Sequence, residues 1–478
     1  MNIRYTALIL WIVISSFVSC SQDPGGNGAS ATDLTIFIVN DQHGRLDNFA
    51  KIDHIVDAEK LKTNVILTCS GDIFSGNPVV DNYAEKGYPM IDVMNRVGFD
   101  ISVIGNHEFD YGQAILTDRM AQVDFDWVCA NVDMGSTGVP EPFEHLTISI
   151  DSLQVTFLGL LETNGNKTTT MPSTHPLRVQ GLSFERPENV IAKYSNLKEQ
   201  ENSDLYIALT HLGHDGGEMF FGDYQLASEY PFFDLIIGGH SHRIIDTVVN
   251  NIPIFQTGAY LNYLGKIELS VADKKIKSIS YELINLNTYS EYDQELKTLI
   301  DEYNNSPYLK EVIGYSHQYH EPYKVGCFYT DALKDVMNVD VAFLNSGGVR
   351  SFLDEGDITK REIFEIAPFG NGTVIYNMTV SDIKSFLRGS GSGFYYSGIQ
   401  LEQVGIDIHV KDLNDNVISD DLFLTVGVND FISAVHLDYF PATGNTQSLT
   451  TAETLIKYLE TINDQVSYPD CVRYFRFQ

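Results

Sequence analysis

Apolar positions follow two kinds of pattern along the chain. Between residues 33 and 289, short β-branched runs alternate with stretches of helical periodicity: LTIFIVN (34–40), NVILTCS (64–70), ISVIGN (101–106), DLYIALT (204–210) and FFDLIIGG (232–239). Runs that are apolar at nearly every position belong to strands covered on both faces, so this half is expected to be α/β. SEYDQELKTLIDEYNN (290–305) then places Tyr292, Leu296, Leu299, Ile300 and Tyr303 on one helical stripe, with Ser290 as the expected cap and Asn304–Asn305 as the stop. Residues 290–312 therefore read as a linker helix, and a second α/β pattern follows over 313–478.

The N-terminus has a different character. Arg4 precedes the apolar run ALILWIVISSFV (7–18), which is too short for a membrane span of about 20 residues and suits a signal-peptide core. Residues 1–19 are expected to be a signal peptide. Ser19-Cys20 resembles a bacterial lipobox, which would leave lipid on Cys20 as a membrane anchor; ordinary secretion is the alternative, because Phe17 is unusual three positions before the cysteine. Residues 20–32, rich in Gly, Ser and Ala, read as a flexible tether. The expected location is the periplasm or the cell surface.

Charge and cysteines narrow the partners. With 31 basic and 64 acidic residues the formal net charge is -33, and such a surface repels duplex nucleic acid. Cysteines 69, 129, 327 and 471 show no short C-x-x-C spacing, so neither a disulfide framework nor a zinc knuckle is expected; Cys69 and Cys129 sit in apolar runs and read as core.

The chemistry gathers at the strand ends. The first run ends in Asp41 and His43, which share a side if the strand continues. The second ends in Asp72, the third in Asn106 and His107, the fourth in His211, and the fifth in His240 and His242. Ligands of α/β sheets collect at the carboxyl ends of strands, so all of these residues can meet in one crevice. The set is nitrogen and oxygen donors without thiolate, which suits zinc, manganese or iron. It is too large for one tetrahedral site and fits two ions about 3.5 to 4 Å apart sharing one carboxylate, with Asp72 as the expected bridge.

The order D-x-H, G-D, G-N-H-E, H, G-H-x-H resembles the calcineurin-like metallophosphoesterases, and GNHEFDYG (105–112) with GGHSH (238–242) is similar to their 5'-nucleotidase branch. TDALKDVMNVDVAFLNSGGVR (330–350), GDIT (356–359) and APFGN (367–371) resemble the C-terminal substrate-binding domain of those enzymes. The resemblance implies an N-terminal β-sandwich flanked by helices (33–289) joined to a second α/β substrate-binding domain. It also implies two divalent metal ions, one on Asp41, His43, Asp72 and His242 and the other on Asp72, Asn106, His211 and His240. His107, held by Asp110, would serve as transition-state stabiliser or leaving-group acid, and Glu108 would be structural. Asn345, Arg350, Phe369 and Phe431 match the positions that grip a nucleoside phosphate, with the two phenylalanines around the base. Two departures stand out: Asp438 is displaced by one position from the ribose-binding aspartate, and Tyr319 stands where an arginine is expected. His214 and Asp234 lie outside the pattern. The implied activity is hydrolysis of nucleotide phosphoesters by a water activated between two metals. Cyclic nucleotide phosphodiesterase, nucleotide-sugar hydrolase and a sulfur-ester hydrolase of similar fold are the enzymatic alternatives, and a surface nucleotide-binding lipoprotein is the non-enzymatic one.

Overall fold

The computed structural model describes residues 31–165, 170–215, 221–463 and 465–478. The expected signal peptide, Cys20 and most of the tether lie outside these residues. Among the described residues no helix is long and apolar enough to cross a membrane.

The first half is a sandwich of two six-stranded sheets. One runs, in spatial order, Lys275–Asn285, Tyr263–Ala272, Thr32–Val39, Asn64–Cys69, Ile101–Val103 and Asp126–Val128. The other runs Ile244–Val249, Ile252–Thr257, Leu235–Ile237, Leu205–His211, Leu153–Leu161 and His145–Ile150. Alternation within one strand explains its unbroken apolar run. Leu34, Ile36 and Ile38 point into the interior with Phe157, Ile207 and Ile237, whereas Phe37 and Val39 point outward. That outer face is covered by Phe49, Val56, Met90 and Met94, from the helices Phe49–Lys60 and Tyr88–Val97. On the other sheet, Leu158, Leu160 and Tyr206 pack outward under Ile191, Tyr194 and Leu226. Burying side chains of this size stabilises by about 1.5 to 3 kcal/mol each, so both faces hold the strands in register.

That register sets up the site. Thr32–Val39 and Asn64–Cys69 are parallel with Val39 opposite Cys69, and Thr68 is opposite Ile101 in the next parallel strand. Ile237 is opposite Leu209 in the second sheet. The carboxyl ends of both sheets thus open onto one rim.

The expected linker helix is shorter than the apolar stripe predicts. It spans Gln294–Asn304, and its cap is Asp293, whose side chain accepts from the Leu296 N–H at 2.7 Å, in place of Ser290. An aspartate one residue before the first turn reaches that N–H, and Ser290 lies too far upstream. Tyr292 consequently falls outside the helix and is exposed. Leu296 and Ile300 join the core of the first half.

The second half has its own six-stranded sheet, ordered Asn445–Thr450, Gly372–Thr379, Phe423–Asn429, Val341–Asn345, Gly393–Ser397 and Tyr474–Arg476. The helices Pro322–Met337 and Val380–Gly389 contribute to separate apolar clusters against it. Val341–Asn345 and Phe423–Asn429 are parallel, which puts Asn345 and the Asn429-capped helix Asp430–Val435 at one end. Cys327 and Cys471 form a disulfide across 144 residues, a pairing that spacing gave no reason to expect. Cys69 and Cys129 are buried and free, as their apolar surroundings predict.

Candidate active site

Strand ends supply the candidate ligands, through a local conformation that strand alternation does not predict. The first strand stops at Val39, and Asp41 and His43 come to the same side because both adopt left-handed backbone, φ 51° and 49°. Asp72, His240 and His242 do the same. Left-handed backbone costs a non-glycine residue roughly 1 to 2 kcal/mol, and such strain gathers where geometry is fixed for chemistry. Hydrogen bonds from Asp41 N to Gly71 O (3.1 Å) and from His43 N to Asp72 O (3.0 Å) lock the first two loops together.

These loops bring together two clusters, Asp41, His43, Asp72 and His242 in one and Asp72, His211 and His240 in the other. Asp72 belongs to both. Asn106 completes the second: its Oδ1 lies 3.0 Å from His240 Nδ1 and 3.2 Å from His211 Nε2. Its amide donates to Ser173 O at 3.1 Å, which keeps the oxygen facing inward. Backbone carbonyls fix two imidazoles as well, since His43 Nδ1 donates to Ser75 O (3.0 Å) and His211 Nδ1 to Ser70 O (2.6 Å). Both Nε2 atoms then face the cluster as donors to a cation. Asn40 orients Asp41, donating to it at 2.6 Å while its own oxygen accepts from Thr257.

The donor atoms crowd one another in a way that calls for cations. His43 Nε2 and His242 Nε2 stand 2.9 Å apart, and Asp72 Oδ2 lies 3.0 Å from His211 Nε2. All but the two outer histidines, His240 and His242, are fully buried. Buried charged and lone-pair groups are costly unless paired or coordinated. Burial would raise the Asp72 carboxyl, but His211 and His107 outweigh it and hold it well below the usual range. Burial would lower His211, but Asp72 and Asp41 outweigh it and raise it to about 10, so a cation arriving here displaces a proton. A mixed imidazole, carboxylate and amide set sharing one carboxylate fits two divalent cations of the zinc or manganese kind.

His107 stands beside this pair. Its Nδ1 pairs with Asp110 Oδ2 at 2.6 Å, and its Nε2 lies 4.0 Å from Asp72 Oδ2. Burial lowers its basicity, but Asp110 and Asp72 prevail and hold it up at about 9, while the same pairing keeps Asp110 down at about 2 against its own burial. Glu108 is a brace: it accepts from the N–H groups of Gly105, Asp72 and Ile73, and burial and the Asp72 charge push it up to about 7.

A cavity of about 440 Å³ opens over the dyad. Asn345, Arg350, Phe369 and Phe431 of the second half all line it. Phe369 lies parallel to the His107 ring, centroids 5.9 Å apart and planes at 12°, with the Arg350 guanidinium 5.5 Å from its centroid. Asp438 is on an exposed turn and Tyr319 packs on Phe352, and neither lines the cavity. His214 is a loop residue outside it as well. Asp234 accepts from Tyr206 N and Lys198, at the far end of its strand from the rim. The strand-end reading missed Ser173, Thr174, His175 and Arg178, which form one wall, with Ser241, Gly347 and Asn371 completing the lining. The first four follow no apolar run, so no strand end pointed to them.

Residues 34–243 match the calcineurin-like phosphoesterase family, and residues 307–468 match the 5'-nucleotidase C-terminal domain. A 5'-nucleotidase of Vibrio cholerae is 25% identical over 84% of this chain and 83% of its own length. The trifunctional nucleotide phosphoesterase protein YfkN of Bacillus subtilis is 29% identical over 78% of this chain, but the match spans only 28% of that protein, and for endonuclease YhcR of the same organism 40%. In fold, the chain is similar to a 5'-nucleotidase precursor from Thermus thermophilus, with TM-score 0.78, 20% identity, and coverage of 92% of this chain and 98% of the other. Residues 34–243 thus belong to the calcineurin-like phosphoesterase family and residues 307–468 to the 5'-nucleotidase C-terminal domain family, and the chain joins the two.

Proposed function

We propose that the protein is an exported hydrolase of nucleotide phosphoesters, acting as a 5'-nucleotidase. The observation that carries this reading is Asp72, shared by both donor clusters, with His107 4.0 Å away under a cavity lined by both halves of the chain. Two divalent ions held there would acidify a water and neutralise phosphate oxygens. The chain's own part is to bind and orient. His107 directs Nε2 at the phosphoryl position, where it stabilises charge or protonates the leaving oxygen, and Asp110 fixes its tautomer. Arg350, which lines the cavity, takes a phosphate oxygen in this reading. Export is supported by the Cys327–Cys471 disulfide, a bond typical of oxidising compartments.

The test is phosphate release from AMP by the purified chain without residues 1–20. Activity is expected to vanish after exhaustive chelation and to return with manganese, zinc or cobalt. Activity that survives chelation overturns the two-ion reading.

The two aromatic residues are expected to behave differently from each other. Phe431→Ala removes a stacking surface worth about 1 to 3 kcal/mol, so KM for AMP should rise roughly 5- to 150-fold while p-nitrophenyl phosphate is little changed. Phe369→Ala also uncovers His107, so its kcat should fall for both substrates. Equal kinetics for wild type and Phe431→Ala would remove base stacking from the reading.

A further inference from the structure

We propose that Arg178 is a positioning residue that sets the His107 ring through two partners at once. Arg178 Nη1 lies 3.5 Å from Asp110 Oδ1, and its Nη2 donates to Phe369 O at 2.7 Å and lies 3.5 Å from Asn371 Oδ1. Those contacts end on the two groups that confine His107: Asp110 holds its edge at 2.6 Å, and the Phe369 ring covers its face at 5.9 Å. One guanidinium from the first half therefore grips a carboxylate of its own domain and a backbone carbonyl of the substrate-binding half. The dyad is held in full only when the second half sits against the first.

The surroundings suit this role. Thr174 Oγ1 donates to Asp110 Oδ1 at 3.1 Å, so with Arg178 it engages one carboxylate oxygen and leaves Oδ2 to His107. Gln113 donates to Arg178 O at 3.2 Å, and the turn Pro176–Val179 is capped by His175, whose Nδ1 accepts from Leu177 N. The Arg178 side chain is only 18% exposed. A planar fork serves two acceptors in different directions, which a lysine cannot do with comparable rigidity. The acceptor across the boundary is a main-chain carbonyl, so Arg178 is the partner that substitution can remove.

The kinetic arm of the test rests on the hydrolase reading; a second arm does not. Arg178→Met is expected to lower kcat about 10- to 100-fold for both AMP and p-nitrophenyl phosphate, with two metals retained and KM changed much less. Added guanidinium ion, well below denaturing concentrations, should restore part of the loss. In an Asp110→Asn background the same change should cost far less, since one of its two routes is already gone. Independently of turnover, the low-field proton resonance of the His107–Asp110 bond, identified by its loss in His107→Asn, should broaden or shift in Arg178→Met without substrate. Arg178→Lys carries both readouts should the methionine variant not fold, with a smaller kcat loss expected. An unchanged resonance overturns the proposal, and so does an effect confined to KM for AMP, which would make Arg178 a substrate contact. A wild-type protein without phosphatase activity would sink the hydrolase reading, and the resonance would still decide the role of Arg178.

Discussion

Asp72→Asn is expected to be the most damaging single change in the protein. It should leave fewer than two metals per chain and lower kcat for AMP by more than about 1,000-fold, the upper figure for losing one group aimed at transition-state charge, because here both cations lose a donor. Asparagine is the informative replacement. Asp72 sits at φ 57°, a conformation asparagine tolerates and alanine resists, so Asp72→Ala would mix backbone strain with chemistry. Asp72 Oδ1 also accepts from His107 N at 2.9 Å, and the asparagine oxygen preserves that bond. What the variant removes is the charge shared by the two clusters. Metal analysis by mass spectrometry together with AMP kinetics decides the matter. Two retained metals with near-normal turnover would show that another group joins the ions and that the reading of Asp72 as bridge is wrong.

The sequence reveals the ingredients of this site better than the way they are brought together. Strand positions are legible because burial on both faces demands apolar residues at consecutive positions, and the runs ending near residues 39, 69, 103, 211 and 237 all become strands. Candidate ligands are legible because polar residues that follow such runs stand out. What periodicity cannot convey is that five of those residues sit in left-handed backbone, since Asp and His carry no mark of that conformation as glycine does. Nor does it show the tautomer-fixing carbonyls of Ser70 and Ser75, because a main-chain oxygen has no residue signature. The same limit hides the wall from Ser173 to Arg178. Those residues act through contacts to Asn106, Asp110 and Phe369 that are distant in sequence, and the segment has neither helical nor strand periodicity. The disulfide is another such case, with its cysteines 144 residues apart. The helix after residue 290 differs for another reason: Leu296, Leu299, Ile300 and Tyr303 pack inward, but a competing cap three residues further on sets its start and leaves Tyr292 outside.

His107→Asn separates the dyad from the metal centre. The variant is expected to keep both metals and to lose about 100- to 10,000-fold in kcat for AMP, the range for removing a positioned acid–base group. Retained metals follow from the geometry, since His107 belongs to neither donor cluster and its Nδ1 is taken by Asp110 at 2.6 Å. Asp110→Asn should fall in the same direction by less, because the imidazole remains and loses only the carboxylate that fixes and charges it. The leaving group then distinguishes the two roles open to His107. A nucleoside leaves as a basic alkoxide that needs a proton, whereas p-nitrophenolate leaves without one. Should His107 act mainly as leaving-group acid, the loss in His107→Asn will be much larger for AMP than for p-nitrophenyl phosphate. Equal losses on both esters would assign it to stabilising charge on the phosphoryl oxygens, a demand both substrates share. We expect the larger loss on AMP, because the Asp110 carboxylate 2.6 Å from Nδ1 favours the charged imidazole, which can give its Nε2 proton to an alkoxide. Loss of a metal in His107→Asn would overturn the assignment altogether, making His107 a ligand and removing Asn106 from the second cluster.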